Sequence, residues 1–177
     1  GHRRLSILDL SERAHQPMCY REKYTIVFNG EIYNFIEIRS ELIQRGYTFS
    51  SDSDTEVILA AYDCYGIDCL KLFNGMWAFA LWDSAEKRLL LSRDRFGVKP
   101  LYYYKNDGYF LFASEIKALL CDERISREAN DRIVYDFLEQ GLADHTEETF
   151  FRNIYKLPAG TYMYVNCEGK GTEYCRY

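Results

Sequence analysis

Residues 24–28, Tyr-Thr-Ile-Val-Phe, form an apolar run closed by Asn29-Gly30, a turn pair, and are predicted as a strand that ends there. Residues 5–10 are apolar enough for a buried strand. Asn34 can cap a helix in which Phe35, Ile38 and Leu42 share one face; it runs to about Arg45, and Gly46 supplies the stop. Residues 47–50 are short and extended. A second helix is expected from Ser53, with Glu56 completing a capping box, Val57, Ala60 and Ala61 following, and an end near Gly66. From there the pattern is that of strands. Residues 75–83 and 88–93 flank Ser-Ala-Glu-Lys as one hairpin, and 101–104 and 109–113 flank Asn106-Asp107-Gly108 as another. A short helix over 115–120, a helix from Asn130 or Asp131 to about Gln140, and a strand over 162–165 complete the pattern. Early helices followed by hairpins, with no running β-α-β alternation, predict antiparallel sheets covered by helices, an α+β layered fold.

Composition narrows the class. A length of 177 residues suits one domain, and 47% hydrophobic with 28% charged residues excludes a disordered tail. The 16 Tyr and 11 Phe favour an aromatic-rich sheet core over a plain helical bundle. A net charge of −5 without a basic cluster argues against nucleic acid as a partner. No apolar run is long enough to span a bilayer and no secretory leader is recognisable, so no membrane partner is expected. The six Cys show no C-x-x-C spacing, and with only 3 His no metal site is expected; reduced thiols in a cytoplasmic protein are the simplest reading. The first residue is Gly1, and a dense motif follows at once, which leads us to expect a single domain over 1–177 truncated at its N-terminus.

Four segments stand out. Residues 1–11 read G-H-R-R-L-S-I-L-D-L-S, 28–34 read F-N-G-E-I-Y-N, 53–59 read S-D-T-E-V-I-L, and 93–103 read R-D-R-F-G-V-K-P-L-Y-Y. Singly, each has a plain alternative: Arg4 a surface charge, Asn29-Gly30 a turn, Asp54 a charge favoured at a helix N-terminus. Together, and in order, they resemble the class II glutamine amidotransferases, most closely the asparagine synthetase branch. His15-Gln16-Pro17-Met18 and the A-S-E-I-K-A-L run from Ala113 strengthen the likeness. The resemblance implies an N-terminal-nucleophile hydrolase fold, two antiparallel sheets sandwiched between helices in four layers (αββα).

It also implies a chemistry. The partner is glutamine, whose carboxylate pairs with Arg4 and whose ammonium pairs with Glu31 and Asp54, while Leu5 and Ile7 line the pocket. The side chain of Asn29 and the backbone N–H of Gly30 form the oxyanion hole. The nucleophile is a Cys made N-terminal by Met removal, with its own α-amine as base; it is expected upstream of Gly1, so that this fragment alone is expected to be inactive. The six Cys present are then ordinary thiols, and His2 and His15 are structural. Arg93, Asp94 and Lys99 are placed by the resemblance where the domain meets a synthetase domain of the same polypeptide. That synthetase domain, absent from this chain, is where ATP and Mg²⁺ are expected to activate aspartate; no cofactor is expected in the chain itself, and a homodimer is compatible with the family. The alternatives are a related synthetase with another acceptor, or a structural relative without a nucleophile. The joint presence of Arg4, Asn29, Glu31 and Asp54 argues against the latter.

Overall fold

The structure, a computed structural model, describes residues 14–106, 108–167 and 174–177. A six-stranded sheet contains β1 (Met18–Tyr20), β2 (Tyr24–Ile32), β3 (Gly75–Asp83), β4 (Arg88–Arg93), β8 (Thr161–Asn166) and β9 (Cys175–Arg176), neighbours in that order. A three-stranded sheet is ordered β6 (Phe110–Ala113), β5 (Tyr102–Lys105), β7 (Ile154–Lys156). All pairings of these strands are antiparallel. The helices are α1 (Phe35–Gln44), α2 (Asp54–Tyr65), α3 (Cys69–Leu72), α4 (Ile116–Leu119) and α5 (Asp131–Gln140).

The two-residue side-chain period of β2 and β3 separates two cores. Ile26, Phe28 and Ile32, with Trp77, Phe79 and Leu81, pack in one cluster with Ile38 and Leu42 of α1 and the buried face of α2. Val27, Ala78 and Ala80 point the other way and meet Leu101, Tyr103 and Leu157 between the two sheets. Beyond the small sheet, Tyr102, Tyr104 and Leu111 pack with Leu119 and Ile125. The result is helix, sheet, sheet, helix, as the resemblance implied.

The hairpin of β3 and β4 and helix α5 occupy their predicted residues. β1, α3, β7 and β9 are only 2 to 4 residues long, too short to show a period, and escaped the pattern. Asn29-Gly30 is not a turn: β2 runs through it to Ile32, with Gly75 facing Ile32 across the pair. The strands approach so closely there that a Cβ on Gly75 would lie 2.2 Å from the Glu31 carbonyl oxygen. Asn34 occupies the N-cap position of α1, but its side chain bridges the Leu72 carbonyl (3.0 Å) and the Asn74 N–H (2.8 Å) instead of capping.

The segment after β4 is organised by its charged residues. Asp94, 0% exposed, accepts the backbone N–H groups of Trp77, Phe96, Val98 and Lys99 at 2.9–3.2 Å. The Arg93 guanidinium donates to the carbonyls of Lys99, Leu157 and Gly97 at 2.7–2.8 Å. Both side chains thus bind backbone groups of this chain and hold the segment from Asp94 to Lys99 in place. Burying a polar side chain is costly unless it is hydrogen-bonded, and these backbone N–H groups supply the bonds.

Candidate active site

Asn29, Gly30 and Glu31 lie in the last part of β2, opposite Ala78, Trp77 and Met76. Gly30 has φ +152°, and a Cβ there would lie 2.1 Å from the Met76 carbonyl oxygen, so only glycine fits. The Phe28 N–H donates to Gln16 Oε1 (2.6 Å) and the Ile32 N–H to Asp54 Oδ2 (3.1 Å). Both therefore point away from β3. The two-residue period puts the Gly30 N–H on the same edge, between them. Among the described residues β1 pairs with β2 only through Tyr24, Thr25 and Ile26, so no described strand covers this part of the edge.

Asp54 is the first residue of α2 and only 4% exposed. Its position suits a carboxylate twice over, since the helix N-terminus and the Ile32 N–H both favour negative charge. Ser53 Oγ accepts the Thr55 N–H at 3.1 Å, the expected cap. Glu56 does not close a capping box on Ser53. Its carboxylate accepts the N–H and hydroxyl groups of Ser50 and Ser51 at 2.6–3.2 Å, which fastens the incoming chain to the helix. Thr55 is 1% exposed, and its hydroxyl has no hydrogen-bond partner among the described residues. Such a buried hydroxyl costs about 1–3 kcal/mol.

These residues share one cleft of about 900 Å³. One wall comes from the large sheet and α2, with Asn29, Gly30, Glu31, Asp54 and Thr55; the other comes from β6 and the α4 region, including Lys117 and Cys121. Lys117 is held by Glu115 at 2.6 Å. The structure thus brings together four of the seven residues singled out from the sequence. Arg4, Leu5 and Ile7 lie outside the described residues, as do the strand expected over 5–10 and His2. His15 is exposed and does not line the cleft.

Gln16, Thr55 and Cys121 are cleft residues that the sequence reading passed over. The first two sit inside quoted motifs, which was the available signal; nothing in the sequence marked Cys121. Its thiol donates to the Lys117 carbonyl at 3.3 Å. Cys19 is exposed, 3.7 Å from Thr25 Oγ1, and outside the cleft wall. Cys69 is buried, and burial pushes its thiol well above the ordinary range. Among the described residues no group of three or more His, Cys, Asp or Glu is placed to hold a metal ion, and no helix is long and apolar enough to cross a membrane.

The structure is thus a layered α+β protein of two antiparallel sheets between helices, with an amide side chain, two carboxylates and a strand edge that no described strand covers at one cleft. A solved glutamine phosphoribosylpyrophosphate amidotransferase from B. subtilis has the same fold at TM-score 0.62 and 20% identity, covering 92% of this chain and 32% of that one. The family model for the glutamine amidotransferase domain matches residues 1–177, and the chain belongs to that family. It is 49% identical over 133 residues to asparagine synthetase [glutamine-hydrolyzing] 1 of Bacillus subtilis, covering 73% of this chain and 21% of the relative. Against asparagine synthetase [glutamine-hydrolyzing] 2 of the same organism it is 40% identical over 169 residues, 93% of this chain and 22% of the relative. The chain thus spans about a fifth of the length of these curated relatives.

Proposed function

We propose that the chain is the glutaminase unit of an ATP-dependent asparagine synthetase, releasing ammonia from glutamine for transfer to aspartate. The observation that carries this reading is the junction of β2 with α2. There an amide side chain, an edge N–H and two carboxylates line one cleft. Glu31 and Asp54 suit the α-ammonium of glutamine, and Arg4 is assigned its carboxylate, for which a guanidinium is the bidentate partner. A cysteine thiolate outside the six cysteines of this sequence attacks the side-chain amide carbon. The carbonyl electrons move to oxygen, and the Asn29 amide and Gly30 N–H stabilise that oxyanion. Collapse expels ammonia, protonated on leaving, and forms a thioester; water then attacks the thioester to give glutamate and the free thiol. A synthetase domain of the same polypeptide would hold ATP and Mg²⁺, which would supply the activation of the aspartate carboxylate.

The test compares two nitrogen donors in the full-length protein. Asn29→Ala should lower glutamine-dependent turnover about 10²–10³-fold, because its donor matters most in the transition state. Arg4→Ala should lower glutamine-dependent efficiency roughly 10–150-fold through lost binding. Neither should impair use of free ammonia, which has no carboxylate and forms no oxyanion. Equal losses with glutamine and ammonia would overturn the assignment.

A further inference from the structure

We infer that the Thr55 hydroxyl is a further substrate contact, accepting a hydrogen bond from the α-ammonium of glutamine beside Glu31 and Asp54. The inference rests on the proposed glutamine site. An ammonium group carries three N–H donors and is bound best when each finds an acceptor. Two carboxylates provide charge. A neutral hydroxyl provides a third acceptor without adding a third negative charge to a confined cleft.

The geometry of Thr55 fits this role. It follows Asp54 directly in the first turn of α2 and lines the same cleft. Its own backbone is fixed by the bond from its N–H to Ser53 Oγ at 3.1 Å, and Asp54 beside it is fixed by the Ile32 N–H at 3.1 Å. The residues that follow, Val57, Ile58 and Leu59, are fully buried and leave this turn no freedom to swing out. Valine has nearly the same shape as threonine, so packing alone does not call for a hydroxyl here. Yet a hydroxyl is present, 1% exposed and without a partner among the described residues. A donor group brought by the substrate resolves that deficit.

Steady-state glutaminase kinetics of the full-length protein test the inference, with Thr55→Val, Thr55→Ser and Asp54→Asn beside the wild type. Thr55→Val should raise KM for glutamine about tenfold with kcat within about twofold, because the contact is made equally in ground and transition states. Thr55→Ser, which keeps the hydroxyl, should stay within about threefold of the wild type. Without ligand, Thr55→Val should melt no lower than the wild type, since it removes a buried unpaired group. A wild-type KM in Thr55→Val, an equal defect in both Thr55 variants, or a lowered melting point in Thr55→Val would overturn the inference while leaving the glutamine site standing. An unchanged KM in Asp54→Asn, or no glutamine hydrolysis by the wild type, would overturn the site reading and this inference with it.

Discussion

Gly30 meets two demands at one residue, a positive φ and a close approach of backbone. Gly46 meets only the first: its φ is +90°, and nothing lies within 4 Å of a Cβ built there. The pair separates the two effects. Gly46→Ala should cost about 1–2 kcal/mol, the penalty of a left-handed backbone. Gly30→Ala should cost more than that, because its Cβ would also meet the Met76 carbonyl oxygen at 2.1 Å and force β2 from β3. Urea midpoints of the two variants, converted to free energy, check the order. A Gly30→Ala variant as stable as Gly46→Ala would mean that the strands separate there at little cost. The same freedom explains why Asn29-Gly30 looks like a turn in the sequence. A positive φ serves a turn and a pinched strand pair equally, and only the partner strand decides between them.

At the scale of an element, α2 is the helix on which the site depends. Every residue from Asp54 to Tyr62 is buried, so its position is set by the core and its first turn by the cap. Ser53→Ala should cost about 1 kcal/mol through the lost cap. Glu56→Ala should cost more, about 2–3 kcal/mol, because the donors of Ser50 and Ser51 lose a charged acceptor together. Amide exchange gives a second measure. Ser51 should lose protection in Glu56→Ala and keep it in Ser53→Ala. Equal exchange of Ser51 in both variants would show that Glu56 does not hold the approach to the helix. The Ser53 cap was legible as a local pattern. The true partners of Glu56 were not, since a capping box and a reach back to Ser50 and Ser51 need the same residue types three to six positions apart.

At the scale of the whole molecule, tyrosines buried in the cores have a consequence at high pH. Burial between the sheets, with Tyr155 beside it, pushes the Tyr103 phenol up to about 12. Burial also raises Tyr62, Tyr164 and Tyr177. A raised phenol contributes stability that is full below the unfolded value near 10 and is lost as pH rises through the folded value. Between these limits only the unfolded state releases the proton. Stability should therefore fall from about pH 10 to 12, by about 1.4 kcal/mol per pH unit for the Tyr103 phenol. Tyr103→Phe should flatten this slope by one phenol's share, as read from urea midpoints across that range. An unchanged slope would remove Tyr103 from the set.

The sequence by itself determined the local periods, the hairpins, the Ser53 cap and four ordered motifs, and hence the α+β class and the family. These are short-range properties, written in residues close together along the chain. Only the tertiary structure decided that β2 continues through Gly30, that Asp94 and Arg93 bind their own loop, and that Gln16, Thr55 and Cys121 reach the cleft. The physical reason is that the cleft is assembled from β2, α2, β6 and the α4 region, which are far apart in the chain. Which side chain finds a partner, and which hydroxyl is left without one, depends on packing between those segments.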